Sequence, residues 1–290
     1  MGKRFILNAE DFGVSKAANR AVLEAYEYGL LKSVSLTTNG EAFDEAVDAI
    51  LPQCPELGIG VHLNLTSGIS LCSDVDLLTD SKGNFLNSYF SLFLKSYNSK
   101  LKDFMPQVER EFRRQIEKLL AKSKVYHIDS HSYIHSIPPL FDMVCRLAVE
   151  YKIPYVITHF EKFYFVPDLS KYFNIRYCRN VFMKSILNLL TIFNENTINK
   201  YKLKTNDYII GTSYVSDMDA LVISYGLNAL KYNNITVEAI IHPHRYDEGT
   251  IDNYFDEYII TRNTKLKDKI LHSGYDITNF VEENEEFQDS

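Results

Sequence analysis

The chain has 290 residues, 46% hydrophobic and 24% charged, a balance that excludes the disordered and fibrous classes and allows a full core. Its 38 Asp and Glu against 31 Lys and Arg give a formal charge of −7 with no basic block, so nucleic acid is not an expected partner. No apolar run reaches the roughly 18 residues of a membrane span, because the strongest stretch, Ile186 to Phe193, is broken by Asn188.

The first apolar run, Arg4–Asn8, reads as a buried strand, and Ser15 then caps a helix that Gly29 closes after Tyr28. A second strand at Val34–Thr38 is followed by a helical stretch at Glu41–Leu51 and a third strand at Gly58–His62. A helix at Val108–Lys122, a strand at Tyr126–Ser130, a helix at Leu140–Tyr151 and a strand at Pro154–Thr158 continue the pattern. Strands at Tyr208–Thr212 and Glu238–His242 flank a last helix at Met218–Asn233. This alternation predicts the α/β class, as a TIM-barrel-like (β/α) barrel of seven or eight strands forming a single domain over 1–280. Two connections, near 67–106 and 161–206, are too long for plain loops and are expected as helical insertions over the C-terminal face. Residues 281–290 read as an acidic, solvated tail.

Four separated cysteines, Cys54, Cys72, Cys145 and Cys178, form no C-x-x-C pair, which argues against a zinc ribbon and a disulfide framework. Phe5-Ile6-Leu7 is too short for a signal-peptide core, so the cytoplasm is the expected compartment.

Unusual polar residues fall where the apolar runs end: Asn8, Glu10 and Asp11 after the first, Asn39 after the second, then His62, Asp129 with His131, and His242. In a parallel barrel these ends meet at one face, where such folds place their chemistry. An Asp with two His is a ligand set for a divalent ion that keeps positions open for water and substrate, and Asp11, His62 and His131 are the candidates. A lone Asp in a turn or a lone His at a strand end is ordinary; the shared position raises the set. The run from His127 to His135 packs three His and one Asp into nine residues. Strand alternation would put His127, Asp129 and His131 on one face, with Asp129 orienting a ligand imidazole or the general base. A polar strand edge is the plainer alternative.

Taken in order, Asn8-Ala-Glu-Asp-Phe-Gly13, Gly60-Val-His-Leu-Asn-Leu-Thr66, His127-Ile-Asp-Ser-His131 with His135, and Ile241-His242-Pro243 resemble the motifs of the YdjC/ChbG-like carbohydrate deacetylases. The resemblance runs from residue 4 to about 275 and is specific because four separated motifs keep their order and spacing. It implies a (β/α) barrel, one divalent metal ion and hydrolysis of N-acetyl groups on amino sugars such as chitooligosaccharides. By that resemblance Asp11, His62 and His131 are the metal ligands, with Mg²⁺ and Zn²⁺ both compatible. The expected chemistry is attack on the acetamide carbonyl by a water that the metal activates. Glu10, standing where the family pattern has Asp, is the candidate general base, and His242 the candidate acid for the departing amine. His127, Asp129, Tyr133, His135 and Asn39 are assigned supporting or substrate-contacting roles. The implied partners are an acetylated amino sugar and a second subunit in a homodimer, with no membrane.

Three positions depart from the pattern: Glu10 is one C–C bond longer than Asp, Tyr133 stands for a His, and His244 for the Gly after His-Pro. Tyr133 can donate a hydrogen bond but cannot shuttle protons near neutral pH. A non-catalytic relative that binds metal or sugar is therefore one alternative, and a metal-dependent sugar isomerase or phosphoesterase another. The aromatic 161–206 segment could stack on sugar rings, pack on another subunit or join the core.

Overall fold

The computed structural model describes residues 2–167, 169–244 and 253–281, so the tail expected at 281–290 lies, beyond Val281, outside the described residues. The described residues form eight strands, all parallel: β1 (Lys3–Phe12), β2 (Ser33–Leu36), β3 (Gly58–Leu63), β4 (His127–Ser130), β5 (Tyr155–Val156), β6 (Tyr208–Ile210), β7 (Thr236–Ile241) and β8 (Tyr275–Ile277). The path runs β5-β4-β3-β2-β1-β7-β6, and β8 pairs with β1 beside it. The α/β alternation matches expectation, but the ladder among the described residues does not close into the full barrel. β5 and β6 hold two and three residues, and a single bridge between Tyr155 and Lys204 spans the side between them. The strand β8 was not anticipated, because Tyr275–Ile277 is too short to show a period.

Helices intervene as α1 (Lys16–Glu27), α2 (Phe43–Glu45, running into a π-helical turn at Ala46–Ile50), α3 (Tyr89–Ser96), α4 (Phe104–Leu120), α5 (Pro138–Glu150), α6 (Ile175–Tyr201), α7 (Ala220–Ala229), α8 (Asn253–Thr261) and α9 (Thr264–His272). Ser15 caps α1 through Ala18 N, and Gly29 follows it with a φ of 69°, as the sequence suggests. None of the described helices is long and apolar enough to cross a membrane.

Strand alternation divides the interior. Phe5, Leu7 and Ala9 of β1, Val34 and Leu36 of β2, Val61 and Leu63 of β3, and Val237, Ala239 and Ile241 of β7 join the helices in the main core. Their neighbours point the other way. There Ile6, Tyr155, Ile157 and Phe280 form a separate apolar cluster, while Asn8, Ser35, His62, His127, Asp129 and Glu238 are buried polar groups on that face. Phe280 reaches this face because β8 brings the chain back to β1, where Thr278 N donates to Phe5 O.

The first long insertion is held by one helix. Phe104, Val108, Phe112, Ile116 and Leu119 give α4 an apolar face. A second buried row on it, Gln107, Glu111 and Gln115, accepts from Leu77 N, from Leu71 N and Cys72 N, and from Asn64 N. A four-residue spacing on a helix thus satisfies loop amides that have no ladder to join.

Candidate active site

The end of β1 is irregular. Its register against β2 shifts between Ala9 and Phe12, and Asp11 has a left-handed backbone with φ of 59°. Regular alternation would send Glu10 and Asp11 to opposite faces. The bulge lets both act on one side. Asp11 Oδ1 lies 3.1 Å from His131 Nδ1 and 3.6 Å from His62 Nε2, and Glu10 Oε2 lies 3.1 Å from His242 Nε2. Left-handed geometry at a residue with a side chain costs roughly 1–2 kcal/mol and concentrates at functional positions.

His62 Nδ1 donates to Asp129 Oδ1 at 2.7 Å. That leaves Nε2 buried, turned towards Asp11 and without a hydrogen-bond partner among the described residues. The ligand atoms of Asp11, His62 and His131 lie within 4.8 Å of one another. A buried imidazole lone pair beside a carboxylate and a second imidazole suits a divalent cation, so these residues fit the ion. Glu10, His62 and Asp129 meet the same limit, but Asp129 already takes the His62 Nδ1 proton, the arrangement that orients a ligand imidazole.

The electrostatics agree. Burial opposes charge on His62, yet Asp129, Glu10 and Asp11 outweigh it and raise its pKa to about 9. A field that holds a proton there also favours a metal cation. Burial opposes ionisation of Asp11 too, but the hydrogen bond and charge of His131, with His62 and His242, hold its carboxyl well below the ordinary range.

Asp129 is itself supported. Ser35 Oγ donates to Asp129 Oδ2 at 2.5 Å and accepts from Asn8 Nδ2 at 2.9 Å. Its one proton is thereby committed, so His127 Nε2, at 3.0 Å, is a donor to it. Sequence reading placed His127 and Asp129 here but missed Ser35, since a serine inside an apolar strand carries no distinctive signal.

His242 stands between two carboxylates. Its Nε2 faces Glu10, and its Nδ1 lies 3.3 Å from Glu257 Oε2, which also accepts the His242 backbone N–H at 2.5 Å. Burial works against its charge, but Glu10 and Glu257 raise its pKa well above the usual histidine value. Glu257 is on α8, away from any strand end, so positional reasoning could not find it.

The remaining candidates, Tyr133, His135 and Asn39, do not join the cluster. Beyond Ser130 the strand gives way to a turn in which Ser132 and Tyr133 are left-handed, so His131 reaches Asp11 from outside the β4 ladder and not by strand alternation as expected. His135 Nε2 donates to Ile157 O at 2.9 Å and Nδ1 accepts from Ser130 Oγ at 2.5 Å, which makes it the anchor of that turn. Asn39 Nδ2 donates to Ser67 O and Ile69 O and so fixes the loop beyond β3. Tyr133 packs edge-on against His159, their ring centres 4.8 Å apart. With His131, Tyr89, Arg179, Met183 and Thr212 it lines a cavity of about 490 Å³, a size suited to a small ligand.

Comparison with known proteins agrees with this architecture. A profile of the YdjC-like protein family matches residues 4–272. A carbohydrate deacetylase of Clostridium beijerinckii is 36% identical over 197 residues, 68% of this chain and 74% of the relative. One of Brevibacillus brevis is 37% identical over 152 residues, 52% of this chain and only 58% of the relative. In structure the chain is similar to an Enterococcus faecalis protein provisionally described as a cellobiose-phosphate cleavage protein, with a TM-score of 0.74 at 22% identity over 97% of this chain and 99% of that one. With a family profile spanning nearly all of its length, the chain belongs to the YdjC-like protein family.

Proposed function

We propose that the protein is a metal-dependent hydrolase that removes the N-acetyl group from an acetylated amino sugar or oligosaccharide. The observation that carries this reading is the buried, unpartnered Nε2 of His62 beside Asp11 and His131, next to the Glu10–His242 pair. Asp11, His62 and His131 would hold the ion, Mg²⁺ or Zn²⁺, whose chemistry is to lower the pKa of water and polarise the acetamide carbonyl. Glu10 takes the proton from the water that attacks that carbonyl. His242, protonated at neutral pH between Glu10 and Glu257, gives its Nε2 proton to the nitrogen of the departing amine. Asp129 keeps the His62 ring in the orientation that exposes Nε2, and the cavity beside His131 receives the sugar. The names of the Clostridium and Brevibacillus relatives support this substrate class.

The test is acetate release from N-acetylated amino sugars, including N-acetylglucosamine oligomers and nucleotide-linked forms, with protein loaded with Zn²⁺, Mg²⁺ or no metal. Release that requires metal is expected. Bound metal without turnover on any sugar would favour the binding-protein reading, which the departures at Glu10 and Tyr133 motivate.

A further inference from the structure

The turn that follows β6 is held at several points. Gly211 takes a φ of 130°, and a Cβ there would stand 2.9 Å from Ile240 Cγ1 and 3.1 Å from the Ile240 carbonyl oxygen, so glycine is required. The fully buried carboxylate of Glu161, beyond β5, accepts from Gly211 N at 2.8 Å and from Ser213 N and Oγ at 2.9 and 2.5 Å. Asn180 of α6 donates from Nδ2 to Val215 O at 3.1 Å. Between these clamps Thr212 is 1% exposed, yet its Oγ1 has no hydrogen-bond partner among the described residues. A buried hydroxyl left unpaired destabilises a fold, and valine would fill the same space without that cost. Thr212 nevertheless stands just past a strand end, on the wall of the cavity beside His131, where parallel α/β folds place their chemistry.

We propose that Thr212 is a specificity-determining residue of that cavity, whose hydroxyl pairs with a ring hydroxyl of the bound amino sugar. The proposal rests on the deacetylase reading and adds to it a residue that selects the sugar. Neighbouring polar groups of the wall are already committed to the fold. Asn87 Nδ2 donates to Leu65 O and Leu78 O, Ser88 Oγ accepts from Ser91 N, and Tyr89 Oη shares a hydrogen bond with Ser136 Oγ. Thr212 is the reverse case, a hydroxyl whose donor and acceptor capacity are both unused among the described residues. Such a group matches a sugar hydroxyl, which also donates and accepts. Met183, Val215 and Tyr133 line the same cavity and supply apolar surface for the C–H face of a pyranose. Because Glu161 and Gly211 fix the turn in advance, the bond forms without a further ordering of the chain. A sugar lacking that hydroxyl would leave Thr212 buried and unpaired, which is how a site rejects an analogue.

Stability and binding test the proposal together. Stability is read by urea unfolding. Binding is read by calorimetric titration with N-acetylglucosamine, its oligomers and nucleotide-linked forms, on a metal-loaded Glu10→Gln background in which turnover is slowed. Thr212→Val should unfold at the same or a higher urea concentration than the parent and bind the sugar about 5- to 10-fold more weakly. With Glu10 intact the same factor should appear in KM while kcat holds, and Thr212→Ser, which keeps the hydroxyl, should recover the parent affinity. A merely structural hydroxyl predicts the opposite pair, a lower urea midpoint and an unchanged affinity. Either of those results overturns the role of Thr212 and leaves the deacetylase reading standing, whereas a parent protein that binds none of these sugars overturns both.

Discussion

His127 on β4 reaches Ser35 on β2 across an intervening strand, with Nε2 3.0 Å from Ser35 Oγ. Ser35, Gly60 and His127 are in register on β2, β3 and β4, and a Cβ on Gly60 would stand 2.1 Å from His127 Nε2. Glycine is therefore a packing requirement of the polar face: without it Ser35 would lose the donor that completes its coordination of Asp129. Gly60→Ala is expected to cost about 2–4 kcal/mol, from overpacking and a broken buried hydrogen bond, measured by urea unfolding. A cost below about 0.5 kcal/mol would mean that the ring moves aside freely.

The proposed ligands and base should separate by readout. His62→Ala or His131→Ala should abolish metal retention and turnover together, as elemental analysis after gel filtration would show. Glu10→Gln should keep the metal and lower kcat by about 10²–10⁴-fold. Asp129→Asn should weaken metal affinity by about 10–100-fold, because the His62 ring exchanges a charged acceptor for a weaker neutral one. Unchanged metal content in His62→Ala would refute the ligand assignment.

Glu257 is expected to act on the proposed acid, His242, through charge. With burial opposing and both carboxylates supporting the imidazolium, Glu257→Gln should lower the His242 pKa and move the alkaline limb of the kcat profile to lower pH. Activity at pH 6 should suffer less than activity at pH 8. An equal loss at both would reduce Glu257 to a structural prop for the backbone N–H of His242.

Buried neutral histidines predict acid sensitivity. Burial lowers the pKa of His127 and of His135 to about 4, from the 6.5 of an exposed histidine. Above pH 6.5 both are neutral whether folded or unfolded; between 6.5 and 4 only the unfolded chain takes up their protons, so their contribution to stability is lost as pH falls. Each accounts for up to about 3 kcal/mol over that window. His135→Gln should therefore be less stable than the parent at pH 8 but lose less on acidification, seen in urea midpoints at the two pH values.

Much of this was legible in the sequence because strand ends are marked by composition. Apolar runs stop at Glu10, His62, Asp129 and His242, and parallel strands place those stops at one face. Three things were not legible. The bulge at Asp11 depends on the register against β2, which a single strand does not encode. The turn that opens at His131, with two left-handed residues, neither a glycine, takes His131 out of the strand alternation expected of it. Among the described residues ring closure fails between β5 and β6 because lengths of two and three residues leave almost no ladder, although both segments read as strands. Ser35, Glu257 and Gly60 matter only through neighbours distant in the chain.

Glu238 gives the opposite pH signature to the histidines. It sits on the polar face of β7, fully buried, and neither carboxyl oxygen has a hydrogen-bond partner among the described residues. Burial, and then the nearby charges of Asp129 and Glu10, push its pKa well above the ordinary carboxylate value. Glu238 must therefore bind a proton on folding, and at neutral pH that uptake opposes stability, increasingly so as pH rises. Below the unfolded pKa both states are protonated and the penalty vanishes. Glu238→Gln, neutral at every pH and nearly isosteric, is expected to be more stable than the parent at pH 8 and equal to it at pH 4. Urea unfolding of the two proteins at both values checks this, and a variant less stable at pH 8 would show that Glu238 is ionised and paired within the site.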